Sequence, residues 1–171
     1  MFGQIQRRAA VLALLLAMSA AANGAELPAE IAASGESVVL QVHALGAQIY
    51  ECKPGANGQT TTWQFREPIA SLFRDGKTVG RHYAGPTWEI GESIISGTVT
   101  GRAPGATAKD IPWLKLHISN SIGDPNGPLE DVTTVQRINT KGGNLEGACD
   151  KAGELSAEPY SADYIFLEKT P

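Results

Sequence analysis

The stretch WLKLHIS, residues 113–119, decides the fold class. Leu114, Leu116 and Ile118 fall on one face of an extended chain, while Trp113, Lys115, His117 and Ser119 fall on the other. Successive side chains of a strand point to opposite faces, so a single register buries three aliphatics and leaves the opposite face for solvent.

The same period recurs on both sides of this stretch. TTWQFRE (61–67) alternates Trp63 and Phe65 with Gln64 and Arg66, and SIISGTVTG (93–101) is rich in β-branched residues. Gly97 within the latter suggests a bulge or a close approach of another backbone. VTTVQRINT (132–140) and YSADYIFLE (160–168) complete the downstream set, the last with apolar residues on both faces, as in a central strand. Upstream, VVLQVHA (38–44) and GAQIYECK (46–53) read as a first hairpin broken at Leu45-Gly46.

Turn clusters separate these runs: KPGANGQ (53–59), GDPNGP (123–128) and TKGGN (140–144). Gly supplies positive φ, Pro fixes its own φ, and Asn or Asp folds its side chain back on the backbone. In GRHYAGPTWE (80–89), Gly85-Pro86 reads as a turn that delivers Trp88 into a strand. Helical signals are scarce. PIASLF (68–73) predicts a short helix with Pro68 in its first turn, and PAEIAAS (28–34) predicts another. The fold class expected is mainly β: an antiparallel β-sandwich or squat β-barrel with one or two short helices.

The first residues have the layout of a secretory signal peptide, with Arg7 and Arg8 ahead of an apolar run from Ala9 to Met18, then small residues. The run is about ten residues long, against the roughly 20 that span a bilayer as a helix. The expected domains are therefore a signal peptide at 1–25 and a single disulfide-closed β domain at 26–171, with cleavage after Ala22 or Ala25 and export by either the general or the twin-arginine route. After cleavage no membrane span is expected, and the location expected is the periplasm or the exterior. The pair Cys52 and Cys149 are the only cysteines. In an exported chain such a pair predicts a disulfide.

Charge excludes one function class. The full chain carries −4, and loss of the leader removes two arginines and no acid, which moves the formal charge to −6. Nucleic-acid binders rest on phosphate neutralisation by Lys and Arg, so no nucleic-acid partner is expected. A mature chain of roughly 145 residues suits one domain with its own core.

The chemistry-bearing residues are few. His43, His82 and His117 are the only histidines, and no His-x-His or His-Glu-x-x-His spacing supports a metal site, so no metal is expected. His82 is the weak catalytic candidate, as a general base beside a carboxylate such as Glu51, Glu89, Glu92 or Asp163. It lacks a nucleophile, since no Gly-x-Ser-x-Gly elbow is present. Aromatic side chains with polar tips suit the rim of a cleft, and Arg137 with Asn139 could meet an anion beside the Gly142-Gly143 turn, or serve the fold with Arg137 paired to an acid. The ligand-binding candidates are His82, Tyr83, Trp88, Tyr50, Arg137 and Asn139.

Six strings in order carry a resemblance: GAQIYECK, TTWQFREPIASL, HYAGPTW, IPWLKL, VQRINTKGG and PYSADYIF. Together they resemble the family catalogued as domain of unknown function 3455, over roughly residues 46–166. The resemblance implies an exported protein of a kind found in bacteria and fungi, without an assigned biochemical activity and with no catalytic residue to carry over. No Gly-x-Gly-x-x-Gly unit between a strand and a helix offers a dinucleotide site, and no cofactor is expected.

The function expected is a non-enzymatic ligand-binding or envelope-associated β module whose partner is a small molecule or an envelope protein. The alternative is a small hydrolase or lyase that uses His82 with a nearby carboxylate. An enzyme of that kind needs His82 within hydrogen-bond reach of a carboxylate in a cleft.

Overall fold

The computed structural model describes residues 27–55, 58 and 60–171. The expected signal peptide at 1–25, its cleavage site and its export route lie outside the described residues. One turn of 3-10 helix, Ala29–Ile31, precedes eight strands: β1 (Glu36–Pro54), β2 (Thr61–Arg74), β3 (Lys77–Tyr83), β4 (Thr87–Ile90), β5 (Ser93–Ala103), β6 (Trp113–Ile122), β7 (Thr134–Gly142) and β8 (Leu155–Lys169). Each strand pairs antiparallel with the next, and β8 pairs back with β1, so the sheet closes on itself as an up-and-down barrel. Of the two architectures expected, the barrel is the one formed.

Alternation places the core. Along β6, Leu114 and Leu116 are buried while His117 and Ser119 are exposed. Along β1, Leu40, Val42, Ala44, Gln48, Tyr50 and Cys52 are buried while Gln41, His43 and Leu45 are exposed. Closure turns the first set inward. On β8 the inward row is Tyr160, Ala162, Tyr164 and Phe166, and the outward Ile165 and Leu167 are buried too. Ile165 pairs across the ladder with Gln136, whose Nε2 donates to Ile31 O at 2.6 Å. Lys115 Nζ donates to Ala32 O at 2.9 Å. The N-terminal segment is thus tied across the outside of the barrel, with Ile31 fully buried.

Two expectations give way. The first hairpin does not form: residues 36–54 are one continuous strand. Gly46 is not a turn but a crossing point, where an added Cβ would collide with Ile69 O and the Ala70 Cα of β2. Glycine is there because the two backbones approach too closely for a side chain. The helix at 68–73 is also absent, since PIASLF lies within β2, with Pro68, Ala70 and Leu72 buried and Ile69 and Ser71 exposed. Proline is tolerated at that point because β3 pairs along β2 only as far as Ala70, leaving no partner beyond it for the N–H that proline lacks. Of the helix expected at 28–34, the 3-10 turn is what forms. The irregularity expected at Gly97 is present as a register shift between Ser96 and Gly97.

The two ends of the barrel differ. At one end Leu40, Val42, Leu72, Ile90, Ile95, Val135 and Phe166 pack together, and the β6–β7 connection adds Leu129 and Val132. At the other end lie the β1–β2, β3–β4, β5–β6 and β7–β8 connections, and this end is hollow. Cys52 and Cys149 form the expected disulfide there, across 97 residues of sequence. Around it, Cys149 N donates to Thr61 O, Trp63 N to Gly147 O and Cys52 N to Glu154 O, which pins the β7–β8 connection against the β1–β2 hairpin.

Candidate functional site

The hollow end holds a half-open cavity of about 550 Å³. Inward positions of the strands form its walls: Gln48 and Tyr50 from β1, Pro68 from β2, His82 from β3, Trp88 from β4, Leu114 and Leu116 from β6, Arg137 from β7 and Tyr164 from β8. Phe65, Arg66, Val99, Arg102, the Gly85-Pro86 turn, Ile111, Pro112 and Asn144 complete the lining. Phe65 is 54 % exposed yet packs edge-on to Tyr50 with ring centroids 5.9 Å apart, so it flanks the opening.

The floor is aromatic. His82 and Trp88 face each other across the β3–β4 ladder and stack with centroids 4.8 Å apart. Tyr164 packs against both, at 4.9 Å from His82 and 5.5 Å from Trp88. Phe166 continues the stack into the packed end, 6.2 Å from Trp88. The ring nitrogen Nδ1 of His82 lies 2.8 Å from Thr87 O. A carbonyl only accepts, so Nδ1 carries the proton and Nε2 of the neutral ring is an acceptor. Burial pushes the His82 pKa down to about 3, the hydrogen bond to Thr87 opposes this, and the charge of Arg137 adds to it. The imidazole is therefore neutral at ordinary pH.

Arg137 stands beside Tyr164 as its cross-strand partner. It is 9 % exposed, and its Nε and Nη2 donate to Pro112 O at 3.2 and 2.9 Å. No carboxylate pairs with it among the described residues. Burial raises the pKa values of the Tyr160 and Tyr164 phenols, and Arg137 pulls against that rise in both. Tyr50 Oη donates to Gly143 O at 2.8 Å, anchoring the turn after β7. Gln48 Nε2, Trp88 Nε1, Tyr160 Oη and Tyr164 Oη are buried without a well-formed hydrogen bond among the described residues, although Tyr160 lies in loose contact with Gln48 and Tyr164, and Tyr164 with Arg137. A buried group left unpaired costs about 1–3 kcal/mol.

Of the six ligand-binding candidates read from the sequence, His82, Trp88, Tyr50 and Arg137 line this cavity. Tyr83 does not: it neighbours His82 on β3 and so faces outward, where its hydroxyl meets Glu89 at 3.3 Å and the Arg81 guanidinium covers its ring. Asn139 also faces out. Its φ of 52° lies within the irregularity between Ile138 and Lys141, and its Nδ2 donates to Asp163 Oδ2 at 2.9 Å. Tyr164, one of the aromatics with polar tips that suit a cleft, also lines the cavity, whereas Gln48, Arg66 and Arg102 had not been singled out in the sequence; for Gln48, shared parity with Tyr50 was the available signal.

The catalytic candidate His82 has no carboxylate within hydrogen-bond reach among the described residues. Glu89 instead binds Arg81 on the outer surface at 2.7 Å, and Asp163 binds His43 there at 2.8 Å. The three histidines do not converge, since His43 and His117 lie outside the barrel and His82 inside.

The chain belongs to the family described as Protein of unknown function (DUF3455), whose model matches residues 33–168. No curated protein and no solved structure gives a match.

Proposed function

We propose that this protein is an exported, non-enzymatic binding module that holds one small, largely apolar ligand inside the hollow end of its barrel. The observation that carries this reading is the cavity of about 550 Å³, walled by inward-facing aromatic and aliphatic side chains with a few polar groups among them. Ligand sites commonly measure about 300–1,000 Å³ and have this kind of lining. An eight-stranded barrel is also about the smallest that can hold one small ligand.

Export is supported by the leader-like sequence and by the disulfide, which persists in oxidising compartments. No helix among the described residues is long and apolar enough to cross a membrane. The hydrolase or lyase alternative is weaker because the carboxylate it requires beside His82 is not there among the described residues.

A thermal-shift screen of sugars, lipids and phenolics tests the reading. A ligand at 100 times its Kd adds about 2.7 kcal/mol of stability. The shift should vanish in Val99→Trp, which places an indole at the rim. Silence across the screen, or an undiminished shift in that variant, would sink the barrel reading and favour an envelope protein as the partner.

A further inference from the structure

We propose that the ligand is an organic anion: an apolar body carrying a carboxylate or similar acid group, with the acid held against Arg137 and with Gln48 and Tyr164 beside it. The inference rests on the binding reading above and goes further by assigning the ligand's charge and the residues that meet it.

Charge distribution is the first support. The chain has an acidic excess, with a net charge of −4. The cavity inverts this, since its lining holds Arg66, Arg102 and Arg137 and neither Asp nor Glu. Arg66 is partly offset by Glu67, 3.1 Å away, whereas Arg102 and Arg137 have no ion pair among the described residues. Acids do lie near the opening, where Glu158 is the cross-strand partner of Gln48 and, with Glu146, acts on Tyr50; neither is part of the lining, so the ligand's acid group is placed at the Arg137 side of Gln48. Burying a guanidinium against a carbonyl and a neutral phenol leaves its charge unbalanced, and buried charges are normally paired.

The unpartnered groups give the second support. Trp88 Nε1 has no partner among the described residues, and Gln48 Nε2 and the Tyr164 hydroxyl make no well-formed hydrogen bond there, only loose contacts of Gln48 with Tyr160 and of Tyr164 with Tyr160 and Arg137. Gln48 is 2 % exposed and lines the cavity with Tyr164 and Arg137. A carboxylate accepts several hydrogen bonds at once and supplies the missing charge. A cation would meet repulsion, and a hydrocarbon would leave the donors empty. Neutral hydroxyls could fill the donors but would not balance Arg137. At the rim, exposed Arg102 adds a positive field that draws anions inward.

The test is a fluorescence titration of the mature protein with anilinonaphthalene sulfonate and with phenylnaphthylamine, which shares its ring system without the acid. The sulfonate should bind at least about tenfold more tightly, the range expected for a hydrogen bond to a charged group. Octanoate should displace it, and octanol should not. Arg137→Met should weaken the sulfonate by about tenfold or more and leave phenylnaphthylamine within about twofold. Should that variant fail to fold, Arg102→Ala on the rim and the octanoate–octanol comparison decide, the former through a weaker affinity and a flatter salt dependence. Equal affinity for the two dyes, or sulfonate binding indifferent to these changes, overturns the anion proposal. Failure of both dyes to bind, or undiminished binding of both to Val99→Trp, overturns the barrel reading beneath it.

Discussion

The imidazole of His82 lies almost parallel to the indole of Trp88, with ring planes inclined by 16° and centroids 4.8 Å apart. The stack seals the floor of the cavity and keeps His82 out of water. Its pKa of about 3, against an ordinary 6.5, makes the folded state refuse a proton that the unfolded chain accepts between those values. The stability contributed by this group is therefore complete above about pH 6.5 and is lost as pH falls towards 3, by up to about 1.4 kcal/mol per pH unit. Urea titrations at several pH values should show His82→Asn losing much of this slope, because the amide can still donate to Thr87 O but does not titrate. Parallel pH profiles for the two proteins would refute the assignment.

Replacing both Cys52 and Cys149 with Ala should cost about 4–5 kcal/mol, since the disulfide closes a loop of 97 residues. Chemical denaturation of the oxidised protein and the variant measures the difference. A loss below about 1 kcal/mol would mean that the backbone bonds around Thr61, Trp63 and Cys149 hold the rim unaided.

Gly46→Val should be among the most damaging single changes in the chain. Its Cβ has to displace the β2 backbone at Ile69 and Ala70, and overpacking of this kind costs about 1–3 kcal/mol or more. Far-ultraviolet circular dichroism with a thermal melt reads the outcome. A melt within a degree or two of the parent would show that β2 can move away freely.

Tyr50→Phe keeps the ring against Phe65 and removes only the hydroxyl that donates to Gly143 O. The expected cost is about 1–3 kcal/mol, the penalty for a buried acceptor left without its donor. Hydrogen exchange at Gly142 and Gly143 should quicken. Unchanged stability and exchange would indicate that the turn after β7 is held by Asp110, whose carboxylate accepts from Gly142 N at 2.7 Å.

The strands were legible because most of the inward rows keep an unbroken period of two. The same period runs through Gly46: positions 40, 42, 44, 48, 50 and 52 are all buried, which marks a single strand. A glycine read as a turn signal hid this, because close backbone approach and chain reversal draw on the same residue. Pro68 misled for a related reason, since its place depends on where β3 stops, a tertiary fact. In the cavity, His82 and Trp88 were visible as neighbours across a turn. Arg66, Arg102 and Arg137 come from β2, β5 and β7 and share a space only once the sheet closes, so no spacing along the chain connects them. Tyr83 was separable from His82 by parity alone. Asn139 was not, because the irregularity after Ile138 breaks the parity of β7.

Closure through β1 and β8 also sets an order of events during biosynthesis. β1 is the earliest strand and β8 the latest, and they form 15 residue pairs. Until β8 arrives, β1 and β7 both present open edges, the kind of surface that recruits neighbouring chains into aggregates. A chain that emerges amino end first therefore cannot seal until β8 follows, and the unfinished barrel is the form most exposed to aggregation.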